Sequence, residues 1–142
     1  MEDTVVNRRL SREEAVKLIY QMSINKYTFE EAIENYFEEY EGNVDEIDME
    51  YVRSIVAGVS NNIGKIDDII ERHLINWKMN RISKINLAIL RCSIYEILTD
   101  KETPAAVYIN EAIEIAKKYS EDKSIAFVNG VLDRIANSDS EI

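Results

Sequence analysis

Residues 103–135, TPAAVYINEAIEIAKKYSEDKSIAFVNGVLDRI, carry two helical repeats joined by a short polar turn. Thr103 followed by Pro104 marks a helix start, because proline suits a first turn whose N–H groups have no intrahelical partner. Val107, Ile113 and Ala116 then fall on one face, widened by Ala112 and Ile115. Ser120, Glu121 and Asp122 supply a cap and an acidic first turn for the second helix. Its apolar face is Val128, Val131, Leu132 and Ile135, with Phe127 at the margin. The apolar period continues across Asn129 and Gly130, although both are poor helix formers and the glycine alone costs roughly 1 kcal/mol. Two explanations are open. Either Gly130 permits close helix approach and Asn129 is a satisfied buried amide, or Phe127 and Asn129 meet a ligand at the surface.

The same helical period extends upstream. Ser11-Arg12-Glu13-Glu14 predicts a capping box for a first helix with Ala15, Leu18, Ile19 and Met22 inside, preceded by an arm over residues 1–10 that carries Arg8 and Arg9. Thr28-Phe29-Glu30-Glu31 predicts a second box. Phe29, Ala32, Ile33, Tyr36, Phe37 and Tyr40 follow at core spacing, and Glu41-Gly42-Asn43 ends that helix. Asp48 opens a third helix with Tyr51, Val52, Ile55, Val56, Val59 and Ile63 inward, Gly58 in close packing, and a stop at Asn61, Asn62 and Gly64. A fourth runs from about Lys65 to Trp77. Ser83 caps a fifth, apolar around most of its circumference between Ile85 and Leu90 and therefore central. Arg91 within it needs a carboxylate if buried, with Glu96 or Glu111 as candidates. The expected fold is all-α, about seven helices in one domain, with a frayed tail over residues 137–142.

Composition excludes several function classes. One histidine (His73) and one cysteine (Cys92) leave no metal-ligand spacing, no disulfide and no Cys–His or Ser–His pair. No glycine-rich phosphate loop is present, so no cofactor, metal or enzyme activity is predicted. The longest uncharged run, Ser54 to Gly64, is far short of the ~20 residues of a membrane span, and a cytoplasmic protein without membrane contact is expected. The net charge of −10 opposes nucleic-acid binding, but residues 28–50 hold ten carboxylates and no Lys or Arg. That segment alone equals the net charge. The remainder is balanced and can present a basic face with Arg8, Arg9 and Arg12 as a phosphate clamp, or a merely solvated basic N-terminus.

Three stretches in order carry a family resemblance: RRLSREEAVKLIYQM from Arg8, RISKINLAILRCSIYEIL from Arg81, and INEAIEIAKKYSEDKSIAFVNGVLDRI from Ile109. Together they resemble the NusB family of bacterial transcription antitermination factors over essentially the whole chain. The resemblance implies two small packed helical bundles. It also implies binding to a boxA-type single-stranded RNA of ribosomal RNA leaders together with NusE, a small-subunit ribosomal protein, so that RNA polymerase reads through terminators. On this resemblance Arg8, Arg9, Arg12, Lys117, Lys118 and Lys123 would neutralise phosphates. Tyr20 and Phe127 would stack on bases, and Asn129 would read a base edge. Tyr20, which follows Leu18 and Ile19, equally suits the core. Asn80, Arg81, Lys84 and Asn86 would face NusE, and a homodimer covering the RNA surface is a further implied state. The alternative function is a helical interaction or self-associating module with no RNA role.

Overall fold

The structure is a computed structural model that describes residues 5–142. Those residues form seven α-helices and no strand: α1 (Arg8–Ile24), α2 (Phe29–Glu38), α3 (Met49–Asn61), α4 (Ile63–Arg72), α5 (Lys84–Thr99), α6 (Ala105–Tyr119) and α7 (Asp122–Ala136). Helices α1, α2 and α3 pack on one another, and α4, α6 and α7 gather on the other side of α5. The two bundles share that helix, which packs against α1, α3, α4, α6 and α7. Eleven of its residues are buried, including Ala88, Ile89, Leu90, Cys92 and Ile94. Burial pushes the Cys92 thiol well above its usual range, which keeps it an uncharged core group.

Helix α1 begins earlier than the expected capping box. Asn7 is the cap, its side-chain oxygen accepting from the Leu10 N–H at 3.0 Å, so Arg8 and Arg9 lie in the first helical turn rather than on an arm. The Asn7 N–H is itself tied to the Glu46 carbonyl at 2.7 Å. Ser11 is fully buried inside the helix, where its hydroxyl donates to the Asn7 carbonyl and accepts from the Asp48 N–H, both at 2.8 Å. Glu14 turns inward and receives the Tyr36 hydroxyl and the Lys17 ammonium. Burial raises its carboxyl above the usual range.

The second capping box forms as expected, with Thr28 Oγ1 accepting from the Glu31 N–H at 3.2 Å. Helix α2 stops at Glu38, three residues before the expected end. Tyr40 still closes an edge-to-face cluster with Tyr36 and Phe37, which confirms that stripe as core. Asn62 ends α3 and starts α4, so Ile63 opens the next helix and is 41% exposed rather than inward. Helix α4 ends at Arg72, and the chain turns through Asn76 at a φ of 59°, a left-handed value that asparagine tolerates. Arg91 pairs with Asp67 of α4 at 2.8 Å, not with Glu96 or Glu111. Val107 points outward and Ile109 takes the inward position on α6. After Ala136 the tail is not simply frayed: the Ser138 hydroxyl donates to the Ile135 carbonyl, and Ile142 packs against the core.

At Asp100, between α5 and α6, the Thr103 side chain and then the Tyr108 hydroxyl hold the carboxyl down to about 2. Its Oδ1 also accepts the Glu102 and Thr103 N–H groups at 3.1 and 3.2 Å, which fixes the turn into α6.

Two glycines give opposite expectations for the same substitution. A Cβ at Gly58 would lie 2.1 Å from the Tyr95 ring, whereas one at Gly64 meets nothing within 4 Å. Gly58→Ala should therefore lower stability by about 1–3 kcal/mol through overpacking. Gly64→Ala should raise it by roughly 0.5–1 kcal/mol. Urea unfolding of the two variants beside the parent checks both signs.

Candidate nucleic-acid interface

The polar face that runs over α1 and α6 starts at the N-terminus of α1. Arg9 forks onto Glu111 of α6, with Nε and Nη2 each donating at 3.1 Å. Arg8 sits 4.1 Å above the centroid of the Tyr51 ring and reaches Asp48 at 3.3 Å. Both arginines remain largely exposed, with side chains 71% and 56% accessible. Arg12 does not join them. It lies 12% exposed beneath, with Nε and Nη2 donating to Glu96 of α5 at 2.9 and 3.2 Å. Burial alone would lower the Arg12 pKa, but the Glu96 carboxylate more than reverses that and keeps it fully charged. The three arginines expected to act together are thus separated: Arg8 and Arg9 stay exposed, while Arg12 is committed to the interior.

One turn further on, Lys118 pairs with Glu13 at 2.8 Å. The Lys17 and Lys118 ammonium groups lie 5.6 and 5.5 Å from the centroid of the Tyr119 ring. Burial works against the charge on Lys17, yet the Tyr119 hydroxyl and Glu14 outweigh it and raise its pKa. Tyr119 passes this basic line on to a cleft of about 590 Å³, whose walls include Trp77, Arg81, Lys123 and Phe127. Trp77 and Phe127 meet with ring centroids 5.3 Å apart and planes inclined by 46°. Trp77 is 51% exposed despite its size, so the pair offers apolar ring surface to solvent at the mouth of a charged cleft.

Local chemistry explains why these side chains converge. The Ser120 hydroxyl donates to Asn86 Oδ1 at 2.6 Å, which pins the α6–α7 turn to the start of α5. Asn86 is therefore buried, 6% exposed, and cannot be the exposed partner contact expected of it. Asn80, Arg81 and Lys84 are exposed beside it, on the turn before α5 and in its first residues. On α7, Arg134 Nε donates to the His73 carbonyl at 2.9 Å, anchoring the segment that carries Trp77. A Cβ at Gly130 would lie 3.2 Å from Arg134 Nη1 and within 4 Å of no other helix, so close helix approach does not explain the glycine.

Asn129 is exposed, which overturns the buried-amide expectation. It also lies two residues beyond Phe127, about 200° around the helix, and so does not share the cleft. Tyr20 is half-buried against the core, one turn beyond Lys17. Lys117 is exposed and held by Glu114 at 3.3 Å, and Lys123 is 85% exposed with Glu121 at 3.4 Å. Sequence reading missed Lys17, Tyr119 and Trp77 as members of this face. The i, i+3 spacing of Glu14 and Lys17, which pair at 3.2 Å, was a visible signal, but Tyr119 and Trp77 become neighbours of the site only through folding.

Residues 9–137 match the model of the NusB family. The chain belongs to the NusB family. A transcription antitermination protein NusB of Clostridium botulinum (strain Alaska E43 / Type E3) is 50% identical over 130 residues, covering 92% of this chain and 98% of its own length. Among solved structures, T. maritima NusB superposes with a TM-score of 0.82 at 36% identity, covering 96% of this chain and 95% of that one. A crystal structure of the antitermination factors NusB and NusE in complex with dsRNA matches with a TM-score of 0.71 at 27% identity, covering 91% of this chain and 95% of the matched one. The family match takes in nearly all of the seven helices and, apart from Arg8, the face described above.

Stacking at the cleft has a direct readout, because Trp77 is the single tryptophan of the chain. A single-stranded oligonucleotide that stacks there should change Trp77 emission on titration. Phe127→Ala should weaken its binding by about 1–3 kcal/mol, the range for one base–aromatic contact. An unchanged affinity measured by the same titration would remove Phe127 from the contact.

Proposed function

We propose that this chain binds a boxA-type single-stranded RNA of ribosomal RNA leaders together with NusE, and so promotes read-through by RNA polymerase in the cytoplasm. The observation that carries this reading is the continuity of the polar face. Arg8 and Arg9, Lys118 and Lys17 lie along α1 and α6, and Tyr119, which Lys17 and Lys118 approach, also lines the Trp77–Phe127 cleft. Such a path suits an unpaired strand, since the cations follow its phosphates and the rings take splayed bases. The family membership supports it, and so does the structure of a relative in which NusB and NusE are in complex with dsRNA. No chemistry is transferred. The RNA polymerase effect follows from the assembly that forms, and the work is done by binding energy alone.

Arg8, Arg9, Lys117, Lys118 and Lys123 remain the phosphate contacts, joined by Lys17. Phe127 and Trp77 are the stacking pair, with Tyr20 one turn beyond Lys17. Arg12 supports the face from below, and Asn129 lies outside it. NusE docks on Asn80, Arg81 and Lys84, of which Arg81 lines the cleft, so one RNA strand can touch both proteins. Among the described residues Lys78, Arg81 and Lys84 make no ion pair, unlike the cations on α1 and α6, and so offer unspent charge to a partner. A second reading, self-association through the same rim, is favoured by the exposure of Ile75 at 57% and Trp77 at 51%.

The test is binding of a boxA-like RNA and a scrambled RNA, each with and without NusE, at stated salt. The RNA reading predicts selective binding that NusE strengthens, with Arg8→Ala and Arg9→Ala each flattening the salt slope by about 0.7. Equal weak binding to both RNAs, indifferent to NusE, together with a dimer on gel filtration, would favour self-association.

A further inference from the structure

Each exposed cation at the N-terminal end of the face is seated on a carboxylate that is itself recessed. Arg9 is 71% exposed while Glu111, which it grips with both Nε and Nη2, is 17% exposed. Lys118 is 59% exposed while Glu13, at 2.8 Å, is 14% exposed. These two pairs line one groove of about 320 Å³ between α1 and α6, floored by Leu10 and Ile115. The arrangement is asymmetric. The carboxylates lie beneath and the cationic heads lie above them, so outward N–H groups stay available while the net charge of each pair is cancelled.

That asymmetry has two opposite effects on an RNA strand. Cancelling the charge removes the long-range attraction that any polyanion would feel, whatever its sequence. Fixing the heads removes part of the ordering cost that a flexible Arg or Lys side chain would otherwise meet on binding. For a strand whose phosphates fall where the heads already sit, the second effect offsets the first. A strand that does not fit feels only the lost charge. We propose that Glu13 and Glu111 are specificity-determining residues, built-in counter-ions that make RNA binding depend on fit and not on bulk charge. This inference rests on the RNA reading of the face. It also accounts for how a chain with a net charge of −10 can discriminate among RNAs without a broad positive surface.

The experiment measures binding of the full chain, and of Glu13→Gln and Glu111→Gln, to a boxA-like and a scrambled single-stranded RNA between low and moderate salt. Each substitution keeps the side-chain shape and removes one countercharge. Scrambled-RNA affinity should rise about threefold to tenfold, with a salt slope steeper by about 0.7, while boxA affinity changes by less than about twofold. The preference ratio therefore falls. Glu111 also lies 3.9 Å from Arg12, so Glu111→Gln can disturb the interior; Glu13→Gln, whose partner is Lys118 alone among the described residues, decides the matter if the first variant is poorly folded. A merely structural role would shift the melting temperature and leave both affinities and the slope in place, which overturns the proposal. A parent chain that shows no preference between the RNAs overturns the RNA reading instead. A selective parent with equally selective variants overturns the counter-ion role alone.

Discussion

The structure depends on one buried ion pair, Arg12 with Glu96. It joins α1 to α5 across 84 residues of sequence, and α3 is added when the Tyr51 hydroxyl donates to the same Glu96 oxygen at 2.8 Å. Helix α6 is drawn in through Glu111, 3.9 Å from Arg12 Nη1, and through the Tyr108 ring, 5.6 Å from the guanidinium. Burial first, and then the charge of Glu96, push the Tyr51 hydroxyl well above its ordinary range, so it stays a donor. Breaking such a pair on one side typically costs about 3–5 kcal/mol, a large part of a domain's total of roughly 5–15 kcal/mol. The pair also holds α1 against α5 at Arg12, while Arg8, one turn earlier on the same face, lies at the helix end over the Tyr51 ring and stays exposed.

From that constraint the site follows in steps. With α1 and α6 clamped to α5, Glu13 and Lys118 come within ion-pair reach, as do Arg9 and Glu111. Asn86 of α5 then holds the α6–α7 turn, and Arg134 of α7 holds the loop that carries Trp77. The aromatic cleft is therefore assembled from three segments, each tethered by a polar bond to a helix end. The acidic segment does not line the cleft, which is built from α5, α6, α7 and the loop after α4, but it borders the N-terminal end of the face, where Asp48 pairs with Arg8 and where Lys17 shares a pocket with Glu39 and Glu41.

Much of the fold was legible in the sequence, for reasons that are local. Thr28, Asp48 and Ser83 are caps that act within three residues, and all three cap as their spacing predicts. The apolar face of α7 and the all-round burial of α5 follow from period alone. The failures involve competition or distance. At the N-terminus two caps were available, Asn7 and Ser11, and Ser11 was claimed by the Asp48 N–H 37 residues away. Arg91 found Asp67 and Arg12 found Glu96, choices set by helix packing that no spacing rule reveals. The family resemblance supplied Phe127 and the basic residues, and the structure added Lys17, Tyr119 and Trp77 between them.

The central claim is that one continuous face, from the first turn of α1 through Tyr119 to the Trp77–Phe127 cleft, receives the RNA. Amide chemical-shift mapping of the full chain during titration with a boxA-like single-stranded RNA tests it most directly. The account predicts that perturbations cluster at Arg8 and Arg9, around Lys17 and Lys118, and along Ser120–Phe127 and the Trp77 loop, with α2 unmoved. Perturbations concentrated on α2 and α3, or scattered without a path joining α1 to the cleft, would contradict it.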